Sequence, residues 1–142
     1  MYKKILVGFD NSEGSRVALQ HAVALAKSMG SEIHAVWVKG SLPHYPETIS
    51  ELKEEGDAAN LFQQQIDSYV ENLSKEHAIS IYSEARVGHP AKTILSVAEE
   101  GHFDLIIVGQ SGHSGFWSSS LGHTADKISE YAKCSVLIVR QS

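Results

Sequence analysis

Five short apolar segments alternate along this chain with segments of helical period, and this alternation restricts the fold more than any other feature. The apolar segments lie at residues 3–9, 32–38, 79–87, 104–109 and 135–139. Their richness in Ile, Val and Leu predicts five β-strands. The first, fourth and fifth are almost continuously apolar, as expected for parallel strands that are covered on both faces.

Between these strands, small and apolar residues recur at intervals of three and four, which is the spacing of one helix face. Four helices are predicted, with the faces Ala18, Ala22, Leu25 and Met29; Phe62, Ile66, Tyr69 and Leu73; Ala91, Leu95 and Ala98; and Ala125, Ile128 and Ala132. Gly30 supplies a stop signal after the first helix, and Pro90 suits the first turn of the third. The strict alternation predicts an α/β fold: an open, doubly wound, five-stranded parallel sheet with helices on both faces.

Length and charge restrict the number of domains and the class of partner. The chain has 142 residues, 42% of them hydrophobic, which predicts a single domain over residues 1–142. Lysine and arginine number 12 against 17 acidic residues, giving a formal net charge of −5. No block of basic residues offers a track for a phosphate backbone, so nucleic acid is not an expected partner.

No apolar run approaches the roughly 18 residues that a membrane span needs, so no membrane association is expected. The opening apolar run ends at Asp10 without a small-residue cleavage site, which predicts a cytoplasmic protein. The single cysteine, Cys134, has no disulfide or CxxC partner and is predicted to be a small apolar residue beside a strand. The histidines are scattered without ligand spacing, so no metal centre held by the protein alone is predicted.

The segment "VGQSGHSGFWSSSLGHT", residues 108–124, directly follows the fourth strand. In sheets of this class ligands bind at the carboxyl ends of the strands, where Asp10 also lies. Glycines let the backbone approach a ligand closely, and the helix that follows presents unpaired N–H groups with partial positive charge. Polar side chains surround this backbone, among them Gln110, Ser111, Ser114, Ser118, Ser119, Ser120 and Thr124. The segment is a candidate phosphate cradle, although glycine and serine are also typical of ordinary loops.

Better-known nucleotide and hydrolase motifs are absent. There is no Gly-Lys dipeptide of a P-loop and no pair of glycines at the spacing of a dinucleotide fingerprint. Ser111 and Ser114 are followed two residues later by His113 and Phe116, whereas a nucleophile elbow needs glycine there. No general base or activated nucleophile stands out, so a binding role is favoured over catalysis.

Three glycines in this segment, Gly109, Gly112 and Gly122, are separated by two and then nine residues. This spacing resembles the nucleotide-binding signature of the universal stress protein family. The segments "YKKILVGFDNSEGS", "VGHPAKTIL" and "LGHTADKISEYAKCSVLIVR" resemble the family's opening strand with its following Asp, its glycine-x-proline segment and its closing half. The resemblance covers nearly the whole chain.

The resemblance implies a sheet in the order 3-2-1-4-5 and ATP bound in the crevice between the first and fourth strands. Carried over to this sequence, it implies that Asp10 lies against the ribose or a phosphate-bound Mg²⁺, and that Val38 gives backbone contacts to adenine. It also implies that Gly109 approaches the ribose and phosphates, and that Gly112 and Gly122 approach the phosphates.

The chain departs from the family pattern directly after the last glycine. The family has serine or threonine there, whereas this chain has His123 and then Thr124, and both are included in the predicted site. The departure favours a second hypothesis, a dimeric interaction module of the same fold that does not bind ATP; a slow ATPase is a third. No lysine or arginine lies between Gly109 and Ala125, so His113 and His123 would supply positive charge, which predicts affinity that weakens as pH rises.

The last predicted strand, 135–139, is strongly apolar and is outermost in the order that the resemblance implies. An outermost strand leaves a row of unpaired backbone groups. The family is known for dimers that cover this edge, so the resemblance implies a homodimer formed through residues 135–139.

Overall fold

The computed structural model of the protein describes residues 1–40, 49–110 and 122–141. Strands and helices alternate through these residues in the predicted order. They are β1 Lys4–Gly8, α1 Glu13–Met29, β2 Glu32–Lys39, α2 Ile49–His77, β3 Ile81–Val87, α3 Pro90–Glu100, β4 Leu105–Gly109, α4 His123–Tyr131 and β5 Ser135–Val139. None of the helices in the described ranges is long and apolar enough to cross a bilayer.

The strands form one parallel sheet in the order β3-β2-β1-β4-β5. This confirms both the doubly wound α/β fold and the predicted order. Successive residues of a strand point to opposite faces, and β1 shows the consequence. Ile5 and Val7 pack in the layer formed with α1 and α2, whereas Leu6 packs in the layer formed with α3 and α4. Helices therefore cover both faces of the central strands.

The ends of the helices are set by local signals. Ser12 caps α1 by accepting a hydrogen bond from the Ser15 N–H, and Gly30 ends the helix in the left-handed conformation with a φ of 70°. Pro90 occupies the first turn of α3, as predicted. Cys134 packs at the margin of the layer formed with α3 and α4, and partial burial raises the pKa of its thiol.

The third strand begins two residues later than its apolar pattern predicts. Ala78 has a φ of 52°, and the Ile79 N–H donates to the Ser74 carbonyl, so this part of the segment closes the end of α2. β3 begins only at Ile81, where the backbone becomes extended and pairs with β2. The apolar side chain of Ile79 packs against the layer formed with α1 and α2, and this packing does not require its backbone to pair as a strand.

Candidate functional site

A cavity of about 370 Å³ opens at the carboxyl ends of β1, β2 and β4, between the N-termini of α3 and α4. Residues 8–10, 108–110 and 122–125 form much of its wall, together with side chains from β2 and α3. Its size lies at the lower end of the range of about 300–1,000 Å³ that is usual for small-molecule sites. Its position matches the ligand-binding edge of doubly wound sheets, because β1 and β4 are the neighbours at which strand order reverses.

The structure brings together the site residues proposed from the sequence that lie in the described ranges. Asp10, Val38, Gly109, Gly122, His123 and Thr124 all line the cavity. Gly112 lies outside the described residues, and so does His113. The pairing of β1 with β4 explains how residues so distant in sequence share one wall.

The N-terminus of α4 forms part of this cavity wall. Gly122 is the N-cap residue and has no side chain with which to bond those amides. Its own N–H donates to the Gln110 carbonyl over 2.7 Å, and its carbonyl accepts from Asp126 N–H over 2.9 Å. The N–H groups of residues 123–125, all of which line the cavity, have no partner within the helix. Such a helix start carries partial positive charge and suits an anion.

The turn before α1 supplies the carboxylate of the site. Asp10 Oδ1 accepts the Ser12 N–H over 3.0 Å, and Ser12 Oγ in turn accepts the Ser15 N–H over 3.2 Å. The Asp10 N–H donates to Ser15 Oγ over 3.3 Å, which closes the turn. Asp10 thus supports the start of α1 and also lines the cavity, so this structural role is compatible with contact to a ligand.

One side of the cavity is apolar. Val36 and Val38 from β2, Pro90 and Ile94 from α3, and Val108 from β4 contribute to it. Pro90 and Ile94 line the same cavity as Asp10, although neither is among the site residues predicted from the sequence. A flat apolar group could lie against this side while a negatively charged group reaches the start of α4.

The electrostatic character of the cavity is unusual for an anion site. Among the described residues that line it, Asp10 is the only one with a formal charge, and none is lysine or arginine. Backbone amides, hydroxyl groups and the His123 imidazole are the groups available to meet a negative ligand. Within the described ranges no three His, Cys, Asp or Glu side chains cluster as a metal site requires.

Comparisons with known proteins agree with this architecture. The model of the universal stress protein family matches residues 1–140. Universal stress protein MJ0531 of Methanocaldococcus jannaschii is 34% identical over 149 residues, which cover 99% of this chain and 84% of that protein. Universal stress protein YxiE of Bacillus subtilis is 35% identical over 151 residues, which cover 99% of this chain and 100% of that protein.

Solved structures show the same fold over the full length. Universal stress protein UspA from Lactobacillus plantarum superposes with a TM-score of 0.85 at 27% identity, covering 98% of both chains. Two more distant structures were solved with ligands. A universal stress protein in complex with cAMP has a TM-score of 0.71 at 23% identity, covering 99% of both chains. A family protein from Arabidopsis thaliana with AMP bound has a TM-score of 0.69 at 13% identity, covering 99% of this chain and 92% of that one.

Proposed function

This chain belongs to the universal stress protein family, and on that premise we propose that it is a stress-response regulatory protein that binds an adenine nucleotide, ATP foremost. The nucleotide would occupy the cavity at the carboxyl ends of β1 and β4. The single observation that carries this proposal is the start of α4, where Gly122 leaves the amides of residues 123–125 without a side-chain cap at the cavity wall.

Each part of the nucleotide has a chemically suitable part of the wall. Adenine would lie along the apolar side, with backbone contacts from Val38. The phosphates would approach Gly122, His123 and Thr124, and we extend the same role to Gly112 because the family resemblance implies it. Gly109 would lie beside the ribose and phosphates.

Asp10 would contact the ribose or a Mg²⁺ ion carried by the phosphates, because carboxylate oxygens are preferred ligands of that ion. When bound, the ion would offset the repulsion between Asp10 and the phosphates. Asp10 already has one oxygen oriented by the Ser12 N–H, which fixes the direction of its carboxylate.

The AMP-bound and cAMP-bound structures of the same fold support an adenine ligand and do not decide between ATP and a monophosphate. The absence of a lysine or arginine among the described lining residues favours regulation over turnover, since phosphoryl transfer relies on strong charge stabilisation. The nucleotide would bind one conformation of the protein more tightly than another, and this difference in affinity would shift the conformation or the choice of partner.

A second candidate function rests on His123. This residue occupies the first position of α4, where the family pattern has serine or threonine. A protein with the same fold that does not bind ATP would act as a dimeric interaction module. In either case we propose a homodimer formed through the edge of β5, and a cytoplasmic location.

The proposal is tested by mass spectrometry of the small molecules released from freshly purified protein, followed by calorimetric titration with ATP and Mg²⁺. Gly122→Asp is the decisive variant. The N-cap φ of −65° and ψ of 159° let an aspartate bond the open amides, so the helix would be stabilised while phosphate is repelled. We expect this variant to fold and to lose ATP binding.

Gly122→Asn is the matched control, because asparagine also caps the helix but carries no charge. It should weaken ATP binding less than aspartate does. Unchanged ATP affinity in a folded Gly122→Asp protein would place the nucleotide elsewhere. No adenine compound in the purified protein and no titration heat would favour the interaction module.

A further inference from the structure

Arg16 lies outside the cavity and joins the turn that carries Asp10 to helix α2. Its Nε donates a hydrogen bond to Asn11 Oδ1 over 2.9 Å. Its guanidinium group lies over the ring of Tyr69, with 4.6 Å between the guanidinium carbon and the ring centroid. Tyr69 belongs to α2, so a single exposed side chain connects two elements that are distant in sequence.

The same tyrosine contacts the turn at a second point. The Tyr69 ring stacks on Phe9, with centroids 5.5 Å apart and planes 18° from parallel. Phe9 is only 2% exposed, precedes Asp10 and lines the cavity. The backbone on both sides of Asp10 is therefore held against α2, on one side by Phe9 and on the other by Asn11 through Arg16.

Asn11 is the residue that needs such support. Its φ is 65°, in the left-handed region that only glycine enters without strain and that asparagine tolerates best among the other residues. This conformation brings the Ser12 N–H to Asp10 Oδ1. A bond that fixes the Asn11 side chain therefore also fixes the direction of the Asp10 carboxylate.

We propose that Arg16 is a positioning residue for nucleotide binding, which acts by holding Asn11 and thereby aiming Asp10 into the cavity. The inference rests on the proposed function for the ligand, but not for the geometry of the turn. Arginine suits this role because its planar group can stack on a ring while its Nε donates sideways. Lysine has the same charge but cannot do both.

The test is a double-mutant cycle for binding of Mg²⁺ and ATP, measured by calorimetry. We expect Arg16→Gln to weaken ATP affinity about ten-fold, the effect typical of losing a group that orients a ligand-binding side chain. In an Asp10→Asn background, Arg16→Gln should have no further effect, because the carboxylate that it aims is gone. Two additive losses would show that Arg16 acts by another route and would overturn the inference.

Two further variants separate positioning from charge and from strain. Arg16→Lys keeps the positive charge and should lose affinity as Arg16→Gln does; wild-type affinity in Arg16→Lys would mean that simple attraction of phosphate is at work. Asn11→Gly keeps the left-handed backbone but removes the acceptor. It should show the same loss as Arg16→Gln, and the two together should lose no more than either alone.

A readout without nucleotide keeps the inference separate from the proposed function. Amide hydrogen exchange of Ser12 in the ligand-free protein reports directly on its bond to Asp10. Arg16→Gln and Asn11→Gly should both accelerate this exchange locally, while amides in β1 are unchanged. If wild-type protein binds no nucleotide, the proposed function fails and this exchange still tests the hold of Arg16 on the turn. Unchanged Ser12 exchange would overturn the inference by itself.

Discussion

Gly109 and Gly14 are in backbone contact where the end of β4 meets the first turn of α1. A Cβ atom on Gly109 would lie 2.9 Å from both the carbonyl carbon and the carbonyl oxygen of Gly14. Real Cβ atoms do not approach backbone atoms so closely, so a side chain at this position forces the helix and the strand apart. Gly109 is thus required by packing, whatever it also does for a ligand.

Gly109→Ala should therefore destabilise the fold. The added methyl group meets backbone atoms, which cannot move aside as a flexible side chain would, so we expect a loss of about 1–3 kcal/mol in the free energy of unfolding. Urea denaturation measures it. Gly56→Ala is the control, because a Cβ atom there meets nothing within 4 Å and the residue lies within α2. It should stabilise the protein by about 0.5–1 kcal/mol; equal effects of both changes would contradict the packing argument.

This contact illustrates what the sequence could not supply. The expectation that Gly109 approaches a ligand is implied by the family resemblance, which says nothing of Gly14. Likewise, nothing near Arg16 in the sequence indicates that it meets Asn11 and Tyr69. Such contacts depend on where whole elements come to rest, so they follow only once the sheet order and helix positions are known.

The order of elements, in contrast, was predictable because its signals are local. Short apolar runs indicated the strands. Gly30 and Pro90 indicated the end of α1 and the start of α3, and the structure has both boundaries at these residues. The sheet order came from the family resemblance and is confirmed. The largest boundary error, two residues at the start of β3, arose because Ile79 packs against the helical layer while its N–H closes the end of α2.

His34 should contribute to the pH dependence of the free energy of unfolding. This residue packs between Tyr82 and Phe103, with ring centroids 4.9 and 4.8 Å away. Burial lowers the pKa of His34, and Lys4 acts in the same direction, while Glu32 and Glu84 partly oppose them. The unfolded chain then binds the proton more tightly than the folded one, so stability is full above the ordinary histidine pKa of about 6.5 and is lost as pH falls through the lowered value.

Urea denaturation at a pH near neutrality and at a mildly acidic pH measures this effect. His34→Gln should reduce the difference in unfolding free energy between the two conditions. His21→Gln is the control, because His21 is exposed on α1 and should leave the difference intact. If His34→Gln loses as much unfolding free energy at acidic pH as the wild type does, groups other than His34 cause the loss.

Nucleotide affinity should depend on pH through His123. Its position at the first residue of α4 places it on the cavity wall, in a lining with no lysine or arginine among the described residues. Only the imidazolium form adds positive charge, so ATP should bind more tightly at mildly acidic than at mildly alkaline pH. Calorimetric titrations across this pH range give the ATP affinities of the wild type and of His123→Gln. The ratio of the two affinities is used because the ionisation of ATP affects both proteins equally. A ratio that is constant with pH would exclude a contribution from the positive charge of His123.

The outer edge of β5 should mediate dimer formation through its backbone. The Val139 carbonyl accepts the Gln110 N–H from the β4 side, so the backbone groups of Val139 and, by alternation, Leu137 face β4. Those of Val136 and Ile138 then face outward, where no strand of the described ranges pairs with them.

Ile138→Pro removes an outward N–H and should yield a monomer with the sheet intact, as measured by sedimentation equilibrium and circular dichroism. Leu137→Pro breaks the bond to β4 and should instead lower the unfolding temperature. A wild-type monomer at micromolar concentration, or an Ile138→Pro dimer as tight as wild type, would remove this edge from the interface.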